Sequence, residues 1–318
     1  VATSTPLAFS ATAPNDADAA DAAARAGAVP AGDAAPPDRD VVVGVDGSEC
    51  AIRAVRWAAR EAARRGAPLR IVHAASYLGR RGAAETRSPE LTRARQITGQ
   101  AFTVARHTEH DLHASTEVVP GDPVDTLLRA AAVGQLVVLG SSTTGAVDEL
   151  VRAPVGARLA ARSPAPVVVV PRQRSGAPTD RPVAAVLGIG DPEDDEAVAA
   201  FAMAAARRAG LPLTLVQIRP PGRTAVPSWI DDLSEWSRRE PDLEVHHSVL
   251  PRASASQLVA ATCPSPLLVL SAGHGHLLHR TLDAPHRWLL RHCTSPTAFV
   301  PPVHRRELDP REEIIALG

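Results

Sequence analysis

LGSSTTGAVDELVRAPVGARLAARSPAPVVVVP, Leu139 to Pro171, decides how this chain is read. It opens as the end of an apolar strand, passes through a loop of small residues, enters a helix and closes in a run of valines. A second copy, SAGHGHLLHRTLDAPHRWLLRHCTSPTAFVPP, runs from Ser271 to Pro302. Each copy carries an Ala-Pro pair, Ala153-Pro154 and Ala284-Pro285, at an offset of 131 residues. Internal similarity on that scale predicts a duplicated domain.

The chain upstream of the first copy alternates strand and helix signals. VVVGVD, from Val41, is a continuous apolar run of the kind found in strands buried on both faces. Ser48 and Glu49 then open a helical pattern with Ile52, Val55, Ala59 and Ala62 on one face, and Gly66 stands where a left-handed cap is expected. Strands follow at 68–76, 115–121 and 135–141. A long helix is expected over 91–110. A short one is expected over 123–133, with Asp122 as N-cap and Pro123 at the first helical position. The pattern predicts α/β architecture: two tandem open domains, each with a five-stranded parallel sheet covered on both faces. We expect an arm over 1–39 too poor in apolar residues to order itself, a first domain at 40–172, a linker at 173–182, a second domain at 183–303 and a tail at 304–318. PVVVVP and TAFVPP are valine-rich strands that would need cover at a sheet edge.

Composition narrows the function classes. The chain has 318 residues, 34 basic against 35 acidic, so no global charge favours nucleic acid or an acidic membrane. Aromatics are 3%, which leaves few bases-stacking platforms and makes the cores aliphatic. Three cysteines, Cys50, Cys263 and Cys293, sit at wide spacings without a CxxC; they suggest neither a disulfide framework nor a zinc site, and fit a reducing compartment. No apolar run approaches the ~20 residues of a membrane span, and no secretory pattern opens the chain. The expectation is a cytoplasmic protein with no membrane or nucleic-acid partner.

Taken together, VVVGVDGSECAIRAVRWAAREAARRGAPLRIVHA, GDPVDTLLRAA, QLVVLGSS and SPAPVVVVP resemble a universal stress protein domain, over about 41–172 and again, with less likeness, over 183–302. The resemblance implies an adenine-nucleotide-hydrolase-like fold and, at domain 1, an ATP site. Asp46, followed by Gly47, would stand beside the ribose and adenine. The backbone at Ala74, after His73, would line the adenine pocket. Gly140 and Ser141 would begin the phosphate loop, and Val155 would offer an N–H. In the family's nucleotide binders the loop reads G-x2-G-x9-G-[S/T]. Here Thr143, Ala153 and Pro154 replace all but Gly140. A phosphate at such a loop needs close backbone approach and free N–H donors. A β-branched residue, an added methyl and a proline each take something away, so the helix start persists while the grip on a triphosphate weakens. In repeat two Gly190 replaces Asp46, and Ser271, His274, Ala284 and Pro285 replace the loop residues, so no nucleotide is expected there.

Other constellations have plainer readings. His274, His276, His279, His286 and His292 lack paired ligands at metal spacing and read as solvated histidines of a degenerated loop. Asp191, Glu193, Asp194, Asp195 and Glu196 read as acids that favour a helix N-terminus. Trp57, Trp229, Trp236 and Trp288 read as packing residues, the middle pair as a candidate interface. No P-loop, GxGxxG, hydrolase elbow or receiver-type lysine is present. Three functions stay open: a non-enzymatic stress-response factor switched by nucleotide at domain 1, a nucleotide-independent scaffold for a protein partner, and a slow ATPase. A homodimer beyond the pseudo-dimer of the two repeats is also open.

Overall fold

A computed structural model describes residues 39–75, 89–141, 154–172, 181–188, 192–218, 242–250, 254–273, 286, 289–290 and 292–303. The expected arm, the core of the expected linker and the tail lie outside these residues. So do Thr143, Ala153, Gly190, three of the tryptophans and His274, His276 and His279.

The strands of the first repeat are β1 (Val41–Gly44), β2 (Leu69–Ala75), β3 (Ala114–Pro120), β4 (Leu136–Gly140) and β5 (Val167–Val170). Its helices are α1 (Glu49–Arg65), α2 (Pro89–Thr108), α3 (Pro123–Val133) and α4 (Val155–Ala160). The second repeat has β6 (Val183–Leu187), α5 (Pro192–Ala209), β7 (Leu213–Ile218), β8 (Val245–Leu250), α6 (Ala255–Thr262), β9 (Leu268–Ser271) and β10 (Thr297–Val300). All ten described strands form one sheet in the order β3-β2-β1-β4-β5-β10-β9-β6-β7-β8. Each repeat contributes five strands paired in parallel.

The seam is the antiparallel pair β5–β10, with Val167 opposite Phe299, Val168 opposite Ala298 and Val169 opposite Thr297. The two valine-run strands thus cover each other, as edge strands of that composition require. All four β5 valines are buried. Full burial of each is worth ~1.5–3 kcal/mol, which this pairing protects. The outer edges, β3 and β8, instead carry exposed polar residues such as Thr116, Glu117, His246 and Ser248.

Alternation along buried strands feeds two cores. Val41 and Val43 belong to the core that also holds residues of α1, α2 and α5; Val42 belongs to the one that also holds residues of α3, α4 and α6. Both cores run across the seam. A polar cluster bridges the repeats on the first face. Arg65 Nε donates to Glu61 Oε1 at 2.7 Å, Arg208 of α5 lies 3.6 Å from the same oxygen, and the Arg65 guanidinium stands 5.6 Å over the Phe201 ring. Burial, then the neighbouring Arg65, hold the Arg208 guanidinium below its usual range, at about 10.

Local signals act where the sequence puts them. Ser48 caps α1 by accepting from Ala51 N–H, and Gly66 ends it at φ 62°. Asp122 caps α3 by accepting from Val124 and Asp125 N–H. Pro154 differs from expectation. It is the N-cap of α4, not its first helical residue, with extended backbone at ψ 145° and no side-chain cap bond. The acidic run opens α5 as expected, with Glu193, Asp194 and Asp195 in its first turn, but Asp194 and Asp195 are 3% and 4% exposed. His286 is likewise buried, its ring 6.1 Å from that of Phe299. A helix-start preference says nothing of which first-turn side chains point inward, and the reading of His286 as a solvated histidine is overturned by its burial.

Candidate functional site

In the first repeat the strand order reverses direction between β1 and β4, since β2 lies on one side of β1 and β4 on the other. Loops leaving such neighbouring strands diverge and leave a crevice at the carboxyl ends. A cavity of about 250 Å³ lies there. Its walls include Asp46 and Ser48 after β1, His73 and Ala74 on β2, Gly140 and Ser141 at the end of β4, and Pro154, Val155 and Gly156 at the start of α4. Five of the six residues singled out from the sequence, Asp46, Ala74, Gly140, Ser141 and Val155, therefore line one cavity. Gly47 is not among its lining residues. Its φ of +86° makes the turn that carries Asp46 to Ser48, with the Ile97 side chain against it.

The Asp46 side chain is fixed by its own turn: Oδ1 accepts from Ser48 N–H at 2.9 Å. That leaves Oδ2 as an acceptor at the cavity wall, with no hydrogen-bond partner among the described residues. His73 is buried and its Nδ1 lies 2.7 Å from the Val45 carbonyl oxygen. A carbonyl only accepts, so Nδ1 carries the proton. This bond ties the end of β1 to β2 and sets the spacing between Asp46 and Ala74. Val45 N–H also donates to Val72 O at 2.9 Å.

Gly140 has a packing reason of its own. A Cβ there would lie 2.4 Å from the carbonyl carbon and oxygen of Cys50 and 2.8 Å from Ala51 N, all backbone of α1. The glycine lets the end of β4 pass against the first turn of that helix. Gly44 is similarly crowded, by the Leu139 and Leu127 side chains. The start of α4 offers Val155 and Gly156 N–H groups, while Ala157 and Arg158 N–H are already bonded to Pro154 O.

Sequence reasoning missed two wall features. The first is Leu290, which reaches this cavity from the second repeat; only the β5–β10 seam brings it there. The second is the apolar floor of Val72, Leu127, Leu139 and Val169, a face that strand periodicity alone does not assign to a site.

The matching place in the second repeat is built differently. Gly188, at φ +83°, donates its N–H to both Asp195 carboxylate oxygens, at 2.8 and 2.9 Å. Asp194 Oδ1 accepts from Val303 N–H at 3.2 Å, and its Oδ2 from the Ser271 hydroxyl at 3.4 Å. Two carboxylates of α5 thus occupy the carboxyl ends of β6, β9 and β10. Among the described residues no group of three or more His, Cys, Asp and Glu could hold a metal ion, and no described helix is long and apolar enough to cross a membrane.

Comparison with known proteins agrees with this architecture. Residues 39–171 match the model of the universal stress protein family. The universal stress protein Rv2028c of Mycobacterium tuberculosis is 28% identical over 270 residues, covering 80% of this chain and 94% of its own. A second from that organism, Rv2005c, is 29% identical over 265 residues, covering 74% and 88%. Among solved structures, a universal stress protein of Archaeoglobus fulgidus superposes with a TM-score of 0.66 at 15% identity, over 83% of this chain and 96% of that one, and shares the fold. Residues 39–171 thus resemble the universal stress protein family, and relatives that carry that name align over most of the chain's length.

Proposed function

We propose that the chain is a tandem universal stress protein, not an enzyme, whose first repeat takes an adenine nucleotide and whose second is architecture. The observation that carries this reading is the convergence of Asp46, Ala74, Gly140, Ser141 and Val155 on one cavity at the switch point of the first repeat. An apolar floor suits a purine face. The Ala74 backbone suits the purine edge, and Asp46 Oδ2 suits a ribose hydroxyl.

The phosphate end supports a weak grip on a triphosphate. The cavity's 250 Å³ is below the ~300–1,000 Å³ of common ligand sites. Pro154 brings no N–H or hydroxyl to the mouth, and α4 is six residues long, too short for a large macrodipole. We therefore expect AMP or adenosine to bind at least as well as ATP. For the second repeat, Asp194 and Asp195 support a nucleotide-free role: an incoming phosphate would meet two carboxylates already bonded to the local N–H donors.

Calorimetric titration of the full chain, stripped of ligand by unfolding and refolding, tests this. We expect one saturable site for adenine nucleotides, weakened about tenfold or more by Asp46→Ala, with no turnover of ATP. No saturation at millimolar nucleotide would favour a scaffold that works without ligand. Binding untouched by Asp46→Ala would put the nucleotide elsewhere.

A further inference from the structure

The second repeat carries two thiols that the first lacks. Cys263 is the C-cap of α6, its N–H donating to Val259 O at 2.8 Å. Cys293 stands three residues before Pro296, as Ser163 stands three before Pro166 in the first repeat. The Ser163 hydroxyl is spent on the Ala165 carbonyl oxygen at 2.6 Å. The corresponding thiol contact, Cys293 Sγ to Ser295 O, is a loose 3.7 Å. Cys293 Sγ instead lies 2.8 Å from Cys263 Sγ, across 30 residues of chain, and both cysteines are free. The separation exceeds the ~2.0 Å of a disulfide by less than about 1 Å. Cys50, the third cysteine, belongs to α1 of the first repeat, where Arg53 Nη2 donates to its sulfur at 3.1 Å.

We infer that Cys263 and Cys293 are a dithiol site that hydroperoxides oxidise to a disulfide within the second repeat. The roles follow from burial and hydrogen bonding. Cys263 is partly exposed, whereas Cys293 is 5% exposed. The hydrogen bond between the two sulfurs pulls the Cys263 pKa down to about 6, against the opposing effect of burial, with Ser295 and Thr262 assisting. The same bond, with burial, pushes the Cys293 thiol up. At neutral pH Cys263 is the thiolate that attacks, and Cys293 the thiol that resolves.

The chemistry balances. The Cys263 thiolate attacks the terminal peroxide oxygen: an S–O bond forms, the O–O bond breaks, and hydroxide (from hydrogen peroxide) or alkoxide (from an organic hydroperoxide) leaves and takes a proton from solvent to give water or alcohol. Sulfur is oxidised to sulfenic acid and the peroxide reduced. The Cys293 sulfur then attacks Cys263, forming the S–S bond as the S–O bond breaks. Hydroxide departs from Cys263 and, with the Cys293 proton, makes water. Two thiols have supplied two electrons to one peroxide, and a small-molecule dithiol reverses the step by exchange. The bond ties the end of α6 to the turn in which Cys293 N–H meets Leu289 O. The next residue on that turn, Leu290, walls the first repeat's cavity.

The test uses the full chain, reduced, desalted and treated with hydrogen peroxide at neutral pH. Alkylation under denaturing conditions and mass spectrometry should show alkylatable thiols falling from the three of the reduced chain to one, Cys50, in a monomer lighter by two hydrogens, with a peptide pair joined through Cys263 and Cys293. Dithiothreitol should restore all three. In Cys293→Ser the Cys263 sulfenic acid should persist and be captured by dimedone, and Cys263→Ser should capture none. The inference is overturned if the folded chain keeps three thiols, if the cross-link involves Cys50 or a second chain, or if Cys263 passes to sulfinic acid while Cys293 stays reduced. The wild-type peptide map decides the matter even if a serine variant fails to fold.

Discussion

Gly140→Ala separates packing from ligand binding at the residue where the two are most easily confused. The added Cβ would sit 2.4 Å from the Cys50 carbonyl atoms and 2.8 Å from Ala51 N. Comfortable carbon contacts need ~3.5–4.0 Å, so β4 and the first turn of α1 must separate by about 1 Å. Neither side yields easily. Gly140 is registered against Val170 on β5, and α1 is fixed by its Ser48 cap. Overpacking of this kind costs ~1–3 kcal/mol, and the upper end applies because the obstacle is backbone, not a side-chain tip. The alanine recovers only ~0.4–1 kcal/mol from a less flexible unfolded chain. We expect a net loss of about 2 kcal/mol, a factor of ~30 in the folding equilibrium, read as a lower urea midpoint with an unchanged slope. Gly99→Ala on α2 is the control. Nothing lies within 4 Å of its added Cβ, and a mid-helix glycine replaced by alanine gains up to ~1 kcal/mol. Gly140→Ala within ~0.5 kcal/mol of wild type would refute the packing argument, and loss of ligand at unchanged stability would return the glycine to the phosphate loop.

Other perturbations probe the seam, the thiol and the caps. Glu61→Gln leaves Arg65 and Arg208 without their shared carboxylate between α1 and α5 and should cost ~3 kcal/mol in urea unfolding. Iodoacetamide should alkylate Cys263 in the reduced, folded chain at a rate that holds from pH 8 down to about 7 and falls through pH 6. Its pKa lies near 6, so the thiolate is present above that value and lost below it; a midpoint near 9 would contradict the assignment. Leu290→Ala, made in the second repeat, should weaken nucleotide binding in the first by on the order of 1 kcal/mol, measured by calorimetry. Ser254→Ala breaks the capping box with Gln257 at the start of α6 and should lower stability by ~1 kcal/mol.

What the sequence discloses follows from the range of the forces involved. α3 is legible from end to end because its signals are local: Asp122 bonds to N–H groups two and three residues on, and Pro123 needs only its own ring. The left-handed cap at Gly66 and the doubly buried valine strands are legible for the same reason. The seam is legible because an uncovered valine edge has few remedies. The inward turn of Asp194 and Asp195 is not, since their partners are Gly188, Ser271 and Val303, the last two more than seventy residues away in sequence. Cys263 and Cys293 have no motif spacing, and an odd count pointed away from any pairing; only the approach of α6 to the turn before β10 joins them. Gly140 was read for its likeness to a phosphate loop, while the nearest atoms to its missing side chain belong to α1.

The two repeats share one strand order and diverge at one turn, the first of the helix after the opening strand. In the first repeat that turn holds Cys50 and Ala51, whose backbone Gly140 approaches because it has no Cβ, and Asp46 stands at the cavity wall. In the second it holds Asp194 and Asp195, which enter the interior and bond to the N–H groups of Gly188 and Val303. A buried N–H left without a partner costs ~1–3 kcal/mol, so the two carboxylates stabilise the second repeat by accepting from these donors. Duplication with one open and one self-filled site then changes what the second repeat contributes. On the proposed reading it gives the first repeat a partner strand, β10, and a wall residue, Leu290, and it places one thiol of the pair, Cys293, on the same turn as that wall.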